Sequence, residues 1–141
     1  MTRDEIEAFF AARQTEWRAR NPRALAALHA PDGIVFSPMF GELHGSQAIA
    51  DSYAALFRSF PDWDFVSQEL LVDGDRVAEH FTATATHVGE FMGLAGTHRQ
   101  AKIEGIRLCE MRDGVVQRER RIYDFSALLI QIGVLKTKPG F

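Results

Sequence analysis

The stretch Arg76-Val77-Ala78-Glu79-His80-Phe81-Thr82-Ala83-Thr84-Ala85-Thr86-His87 decides the fold class. Side chains alternate across a strand. Val77, Phe81, Ala83, Ala85 and His87 therefore share one face, and His80, Thr82, Thr84 and Thr86 share the other. The first set is mostly apolar and belongs against a covering layer. Ala83 and Ala85 are small and leave space above the sheet, so His87 is expected to point toward a cavity. His80 is expected to point toward solvent or another subunit.

Outward from this stretch, the period stays strand-like on the C-terminal side. Asp73-Gly74 is a hairpin signal joining residues 65–72 to 76–87, and Asp113-Gly114 joins residues 102–111 to 115–124. Leu128-Leu129-Ile130 begins a short apolar C-terminal segment. Before Asp64 the period is helical. Thr2 and Glu5 have capping-box spacing, and Ile6, Phe9, Phe10, Arg13 and Trp17 fall on one stripe. Asn21-Pro22 starts a second helix to about His29, and Pro31-Asp32-Gly33 stops it. Ile34-Val35-Phe36 reads as a short strand ended by Pro38. A third helix restarts at Gly45-Ser46, with Ile49, Tyr53, Leu56, Phe57 and Phe60 as its apolar stripe, and Pro61 closes it. Helices first and strands afterwards is the α+β pattern. The expectation is three helices, near 3–20, 22–29 and 46–60, packed on one face of a strongly curved mixed or antiparallel sheet.

The 141 residues fit one domain, 1–141, large enough for a real core. Hydrophobic content of 46% and charged content of 25% are those of a soluble globular chain. The net charge of −3 offers nothing to nucleic acid or an anionic membrane. Met1-Thr2-Arg3-Asp4-Glu5 lacks a signal peptide's apolar stretch, and no apolar run is long enough to span a bilayer. Cys109 is the single cysteine, so no intramolecular disulfide forms, which fits a cytoplasmic setting. His80 and His87 lie on opposite faces of one strand, and neither His-x-x-x-His nor Cys-x-x-Cys spacing occurs, so neither a metal nor another cofactor is expected. There is no G-x-S-x-G elbow and no glycine-rich phosphate loop after a strand.

Several stretches, in order, resemble the SnoaL-like polyketide (ester) cyclase family of the NTF2-like superfamily. They are Thr15-Glu16-Trp17 with Pro22-Arg23-Ala24-Leu25, then Phe60-Pro61-Asp62-Trp63, then Thr86-His87-Val88-Gly89-Glu90-Phe91-Met92-Gly93, and the ending from Asp124 through Leu129-Ile130-Gln131-Ile132-Gly133. The resemblance covers nearly the whole chain. It implies a cone-shaped fold around a pocket and a cofactor-free intramolecular aldol condensation on a polyketide ester, with a carboxylate at Asp124 as general acid/base. Such chemistry removes a proton from an acidic carbon beside carbonyl groups and stabilises the enolate while it attacks a second carbonyl. A carboxylate in an apolar pocket has its pKa raised, and a histidine or tyrosine can donate to the developing oxyanion.

Asp124 and His87 are thus the candidate catalytic pair. For Asp124 the competing role is helix N-cap, because it stands just before Phe125-Ser126-Ala127-Leu128. For His87 it is a hydrogen-bonded core residue. Trp17, Phe81 and Ala83 are the expected pocket lining. The chain departs from the family in carrying Glu110 before the last turn and Arg118 and Arg120 after it, and in having Leu94-Ala95-Gly96-Thr97-His98 at the pocket rim. Glu110 with Arg118 or Arg120 could pair inside the pocket mouth or form an ordinary surface ion pair. Glu104 shares a face with Glu110 and is a further candidate carboxylate. Two functional classes follow: a cofactor-independent cyclase or isomerase acting on a small hydrophobic carbonyl compound, and a non-catalytic protein whose pocket binds a small hydrophobic molecule or whose sheet mediates assembly. The uncovered sheet face carrying His80 and its threonine neighbours is expected to build a homodimer or larger assembly.

Overall fold

The computed structural model describes residues 1–136. Helix α1 (Arg3–Ala19) starts where Thr2 Oγ1 accepts from the Glu5 N–H at 3.1 Å. It turns Ile6, Phe10, Arg13 and Trp17 inward. Helix α2 (Pro22–Ala27) is capped by Asn21 and has proline at its first position, where a missing N–H costs nothing. It ends before the expected His29, which instead opens strand β1 (His29–Ser37) and is buried. This strand is longer than residues 34–36 because Pro31-Asp32-Gly33 does not end it. That triplet falls where the register against the neighbouring strand shifts, between His29 and Ile34. Strand β2 (Gly41–His44) was not anticipated. It is a four-residue edge strand with no apolar alternation to announce it.

Helix α3 (Gly45–Ser59) buries Ile49, Tyr53 and Leu56 and stops at Phe60, before Pro61. Four strands follow: β3 (Asp64–Asp73), β4 (Arg76–Thr86), β5 (Gln100–Arg112) and β6 (Val115–Tyr123). Helix α4 (Phe125–Ile132) closes the described chain, ended by Gly133 at φ 92, a left-handed conformation glycine adopts without strain.

The strands form one curled, unclosed sheet in the order β2-β1-β6-β5-β4-β3. Every pairing is antiparallel except β1 with β6, which run parallel with Val35 opposite Glu119. The sheet is therefore mixed, and the chain is α+β as expected. Along β4, Val77, Phe81, Ala83 and Ala85 are buried. The interior is aromatic at its centre: Trp17 stacks on Phe65 with centroids 4.5 Å apart, and Phe65 on Phe81 at 4.9 Å. A second cluster, with Ile6, Phe10, Val77, Met111 and Val116, fills the narrow end. Gly105 of β5 leaves room for this packing, since a Cβ there would lie 2.3 Å from the Ile122 carbonyl oxygen and 3.0 Å from the Phe81 ring.

Candidate functional site

Between the two apolar clusters lies a buried layer of charge. Inward positions of three neighbouring strands supply most of it: Glu79 on β4, Arg107 and Cys109 on β5, Glu119 and Arg121 on β6. Helix α1 adds Arg13, α3 adds Tyr53, and β1 adds His29. Glu119 is the hub. It is fully buried and accepts from Arg13 Nη2 at 2.7 Å, Arg121 Nε at 2.8 Å and Arg107 Nη1 at 3.4 Å, with the Cys109 thiol donating at 3.4 Å. The Tyr53 hydroxyl accepts from Arg121 Nη2 at 3.0 Å and from Arg13 Nη2 at 3.4 Å, and sits 3.3 Å from His29 Nε2.

The electrostatics follow from burial and these contacts. Burial acts to raise the Glu119 pKa, but the guanidiniums of Arg13, Arg121 and Arg107 together hold it well below the usual carboxylate range. Burial dominates at His29, pushing the imidazole down to about 3 and leaving it neutral. It also raises the Cys109 thiol far above its ordinary range, so the sulfur stays protonated. Glu79 is raised by burial against the pull of Arg13 and Arg107. Arg107 is lowered, by burial first and by the neighbouring Arg121 charge second. Its guanidinium is seated on aromatic faces, 4.8 Å from Trp17, 4.6 Å from Phe65 and 5.2 Å from Phe81.

A narrow cavity opens on one side of this layer. Ser37, Arg107, Arg121 and Tyr123 supply its polar lining, and Met39, Phe40, Leu56, Trp63, Phe81 and Ile103 its apolar walls. At about 20 Å³ it has room for roughly one water molecule. Met39, Phe40 and Leu56 also wall a wider outer cavity of about 310 Å³, completed by residues such as Ser59, Phe91 and Met92. The two cavities are therefore neighbours divided by these three side chains. Burial raises the Tyr123 phenol above its ordinary value, against weaker pulls from the two guanidiniums, so it stands as a proton donor at neutral pH.

The residues singled out in the sequence are dispersed. Phe81 lines the cavity. Trp17 and Ala83 are buried in the core around it, Trp17 behind Arg107. His87 is fully buried at the end of β4, its ring 5.8 Å from Phe60. Its Nδ1 lies 3.0 Å from Thr97 Oγ1 and 3.2 Å from the Thr97 N–H, and its buried Nε2 has no partner among the described residues. Thr97 Oγ1 in turn donates to the Ile132 carbonyl at 3.1 Å, tying His87 to the end of α4. Asp124 is exposed and caps the start of α4, its Oδ1 accepting from the Ala127 N–H at 2.9 Å.

The expectation that Glu104, Glu110 and Arg120 line the pocket is corrected by the strand register. All three project from the outer face. Glu104 pairs with His80 at 3.0 Å, and the Arg118 and Arg120 guanidiniums lie over Phe36 at 4.9 and 4.2 Å. The strand register sets Glu110 opposite Arg118, but no ion pair joins them among the described residues, and both line an open depression of about 360 Å³ on the outer face.

The residues that do meet inside lie on the same strands as the outward positions considered: Cys109, Glu119 and Arg121 are one position away, and Arg107 is three from both Glu104 and Glu110. Glu79 lies between Val77 and Phe81 and shares their face by the same alternation. Arg13 stands on the apolar stripe of α1. A charged residue at an inward position of a regular pattern was the available signal in both cases.

The model of SnoaL-like polyketide cyclases matches residues 9–132. Among curated proteins none matches the chain. Among solved structures, AclR of Streptomyces galilaeus, a candidate hydroxylase, superposes with a TM-score of 0.84 at 24% identity, covering 99% of this chain and 91% of its own. IdmH of Streptomyces antibioticus, a candidate polyketide cyclase, gives a TM-score of 0.76 at 25% identity, covering 90% of this chain and 97% of its own. A protein of Catenulispora acidiphila with a ketosteroid isomerase-like fold, in complex with trimethylamine, gives 0.75 at 20% identity over 89% of this chain and 92% of its own.

Proposed function

The chain belongs to the SnoaL-like polyketide cyclase family, and from that premise we propose a cofactor-independent cyclase-type enzyme acting on a small hydrophobic carbonyl compound. One observation carries the reading: an outer cavity of about 310 Å³, wide enough for a ring-bearing compound, adjoins across Met39, Phe40 and Leu56 a small inner recess onto which a protonated phenol, Tyr123, converges. Apolar walls with a few convergent polar groups are the common character of small-molecule sites. Ring closure by aldol addition needs a base for the acidic carbon and a donor for the oxygen that gains charge. The proton leaves carbon, the enolate forms the new carbon–carbon bond, and the attacked carbonyl oxygen takes up a proton.

Tyr123 suits the donor role. Asp124, the next residue, is proposed as the base. Its Oδ1 is committed to the Ala127 N–H, and its Oδ2 makes no hydrogen bond among the described residues and is proposed to take the proton. His87 is proposed to position this pair by anchoring Thr97 and, through it, α4. A His87→Ala variant that keeps its melting temperature but loses turnover would return His87 to the chemistry.

The capping geometry of Asp124 favours a second reading, a non-catalytic binder of a small hydrophobic molecule. Asp124→Asn separates the two. Asparagine caps nearly as well as aspartate but cannot serve as base. Under the enzyme reading, ring closure of aromatic β-dicarbonyl esters, followed by chromatography, slows by about 100- to 10,000-fold with the melting temperature unchanged. Unchanged turnover, or none in wild type across the panel, leaves the binder.

The outer sheet face is proposed as a homodimer surface. Leu71, Ile106, Leu108 and Ile122 are exposed there beside His80 and Thr82. Sedimentation should give a dimer at micromolar concentration and a monomer for Leu108→Lys. A wild-type monomer would refute the assignment.

A further inference from the structure

The buried charge layer does not balance. Three guanidiniums, Arg13, Arg107 and Arg121, face two carboxylates, Glu119 and Glu79, and His29 is neutral. Even with both carboxylates ionised, one positive charge is left over. Arg13 has a buried Nε and Nη1 without acceptors among the described residues, but it holds Glu119 at 2.7 Å and does not line the cavity, whereas Arg107 and Arg121 do. Arg107 has the weakest hold on the shared carboxylate. Among the described residues one of its five N–H groups finds an acceptor, at a long 3.4 Å, and its buried Nε has none. Arg121 spends Nε on Glu119 and one Nη2 proton on Tyr53, leaving Nη1 without an acceptor among the described residues. A charge in a low-dielectric interior is costly without a counterion, and the cost falls when an anion is brought within a few ångströms.

The remaining geometry says what kind of anion fits. The inner cavity of about 20 Å³ takes only the charged oxygens of a ligand, whose body lies in the outer cavity of about 310 Å³ and reaches in between Met39, Phe40 and Leu56; Tyr123 adds a third donor to the two guanidiniums. A guanidinium fork matches a planar, delocalised pair of oxygens better than a point charge does. We propose that the cone interior selects its ligand in the anionic form, as the carboxylate or ionised enolate of a planar carbonyl compound, with Arg107 as the specificity-determining residue and Arg121 beside it.

This rests on the cone interior being the binding pocket, and the test separates the two claims. Calorimetric titration compares two pairs of probes: benzoate against methyl benzoate, and ionised dimedone against its methyl enol ether. Each pair keeps the skeleton and changes the charge. Wild type should bind at least one anion about tenfold or more tightly than its neutral partner, the size expected of a charge-assisted hydrogen bond. The tighter anion names the source, carboxylate or enolate. Arg107→Met keeps an apolar chain against the aromatic faces and should bring that ratio to about one, with affinity for the neutral probe held within a few fold. Arg107→Lys keeps the charge without the fork and should retain part of the preference. The wild-type ratio is decisive even if both variants unfold. Neutral probes bound as tightly as anions overturn the proposal and leave the pocket reading intact. Binding of neither pair overturns both.

Discussion

Replacing Glu119 with glutamine removes one charge and almost no volume from the middle of the molecule. The carboxylate neutralises guanidiniums at 2.7, 2.8 and 3.4 Å and is fully buried, so water cannot take over. Removing one partner of a buried ion pair typically costs about 3–5 kcal/mol, because the remaining charges stay buried without compensation. For a domain of this size that lowers the melting temperature by roughly 10–20 °C. Urea unfolding of the two proteins measures the loss directly. The pH dependence has a definite sign. The folded-state pKa of Glu119 lies well below the ordinary 4.5, so the unfolded chain takes up this proton first on acidification. The stabilisation is complete above about pH 4.5 and is lost as pH falls from there through the folded-state value. Glu119→Gln should remove this part of the acid limb. Glu79 is the internal control. Its pKa is raised, so its ionised form weighs against folding as pH rises above the ordinary value. Glu79→Gln should be within about 1 kcal/mol of wild type, or more stable, at mildly alkaline pH. A Glu119→Gln loss below about 1 kcal/mol would mean the charge layer is wet, and would refute the reasoning.

Gly105→Ala should cost about 1–3 kcal/mol by overpacking, since the new methyl meets backbone oxygen at 2.3 Å and the Tyr123 Cβ at 2.8 Å; wild-type stability in a thermal melt would contradict that packing. Asp124→Ala should lose about 1 kcal/mol from the α4 cap, measured by urea unfolding, whether or not Asp124 is the base. Met39→Ala should join the inner and outer cavities and speed benzoate association in stopped-flow measurements; an unchanged rate would place the entry elsewhere.

The fold was legible because each long element keeps one period. Ile6, Phe10 and Trp17 mark α1, and Phe81, Ala83 and Ala85 mark the inner face of β4. The parallel partnership of β1 and β6 has no such mark, since pairing between distant strands leaves no local periodicity. The site was harder to read because β5 and β6 reverse the usual polarity. Ile106, Leu108 and Ile122 face outward, while Arg107, Glu119 and Arg121 face in. Reading apolar as inside on these strands, or pairing Glu110 with Arg118 across the turn, selects the outer set. The inner set is held together by Glu119, which bridges Arg13, Arg107 and Arg121, and those contacts join elements far apart in the chain. Asp124 was legible as a cap, from its place before Phe125-Ser126-Ala127.

The parallel strand pair has a consequence for how the chain is made. Strands β3 to β6 form a meander of local hairpins that can zip as they emerge from the ribosome. Strand β1 leaves the ribosome early but must wait for β6, and Arg13 must wait for Glu119, 106 residues later. Contacts of such separation raise the contact order and slow the final step of folding. Until β6 arrives, the N-terminal half carries an uncompensated Arg13 and a β1 edge without its parallel partner. That makes the nascent chain, more than the finished protein, the species most exposed to aggregation.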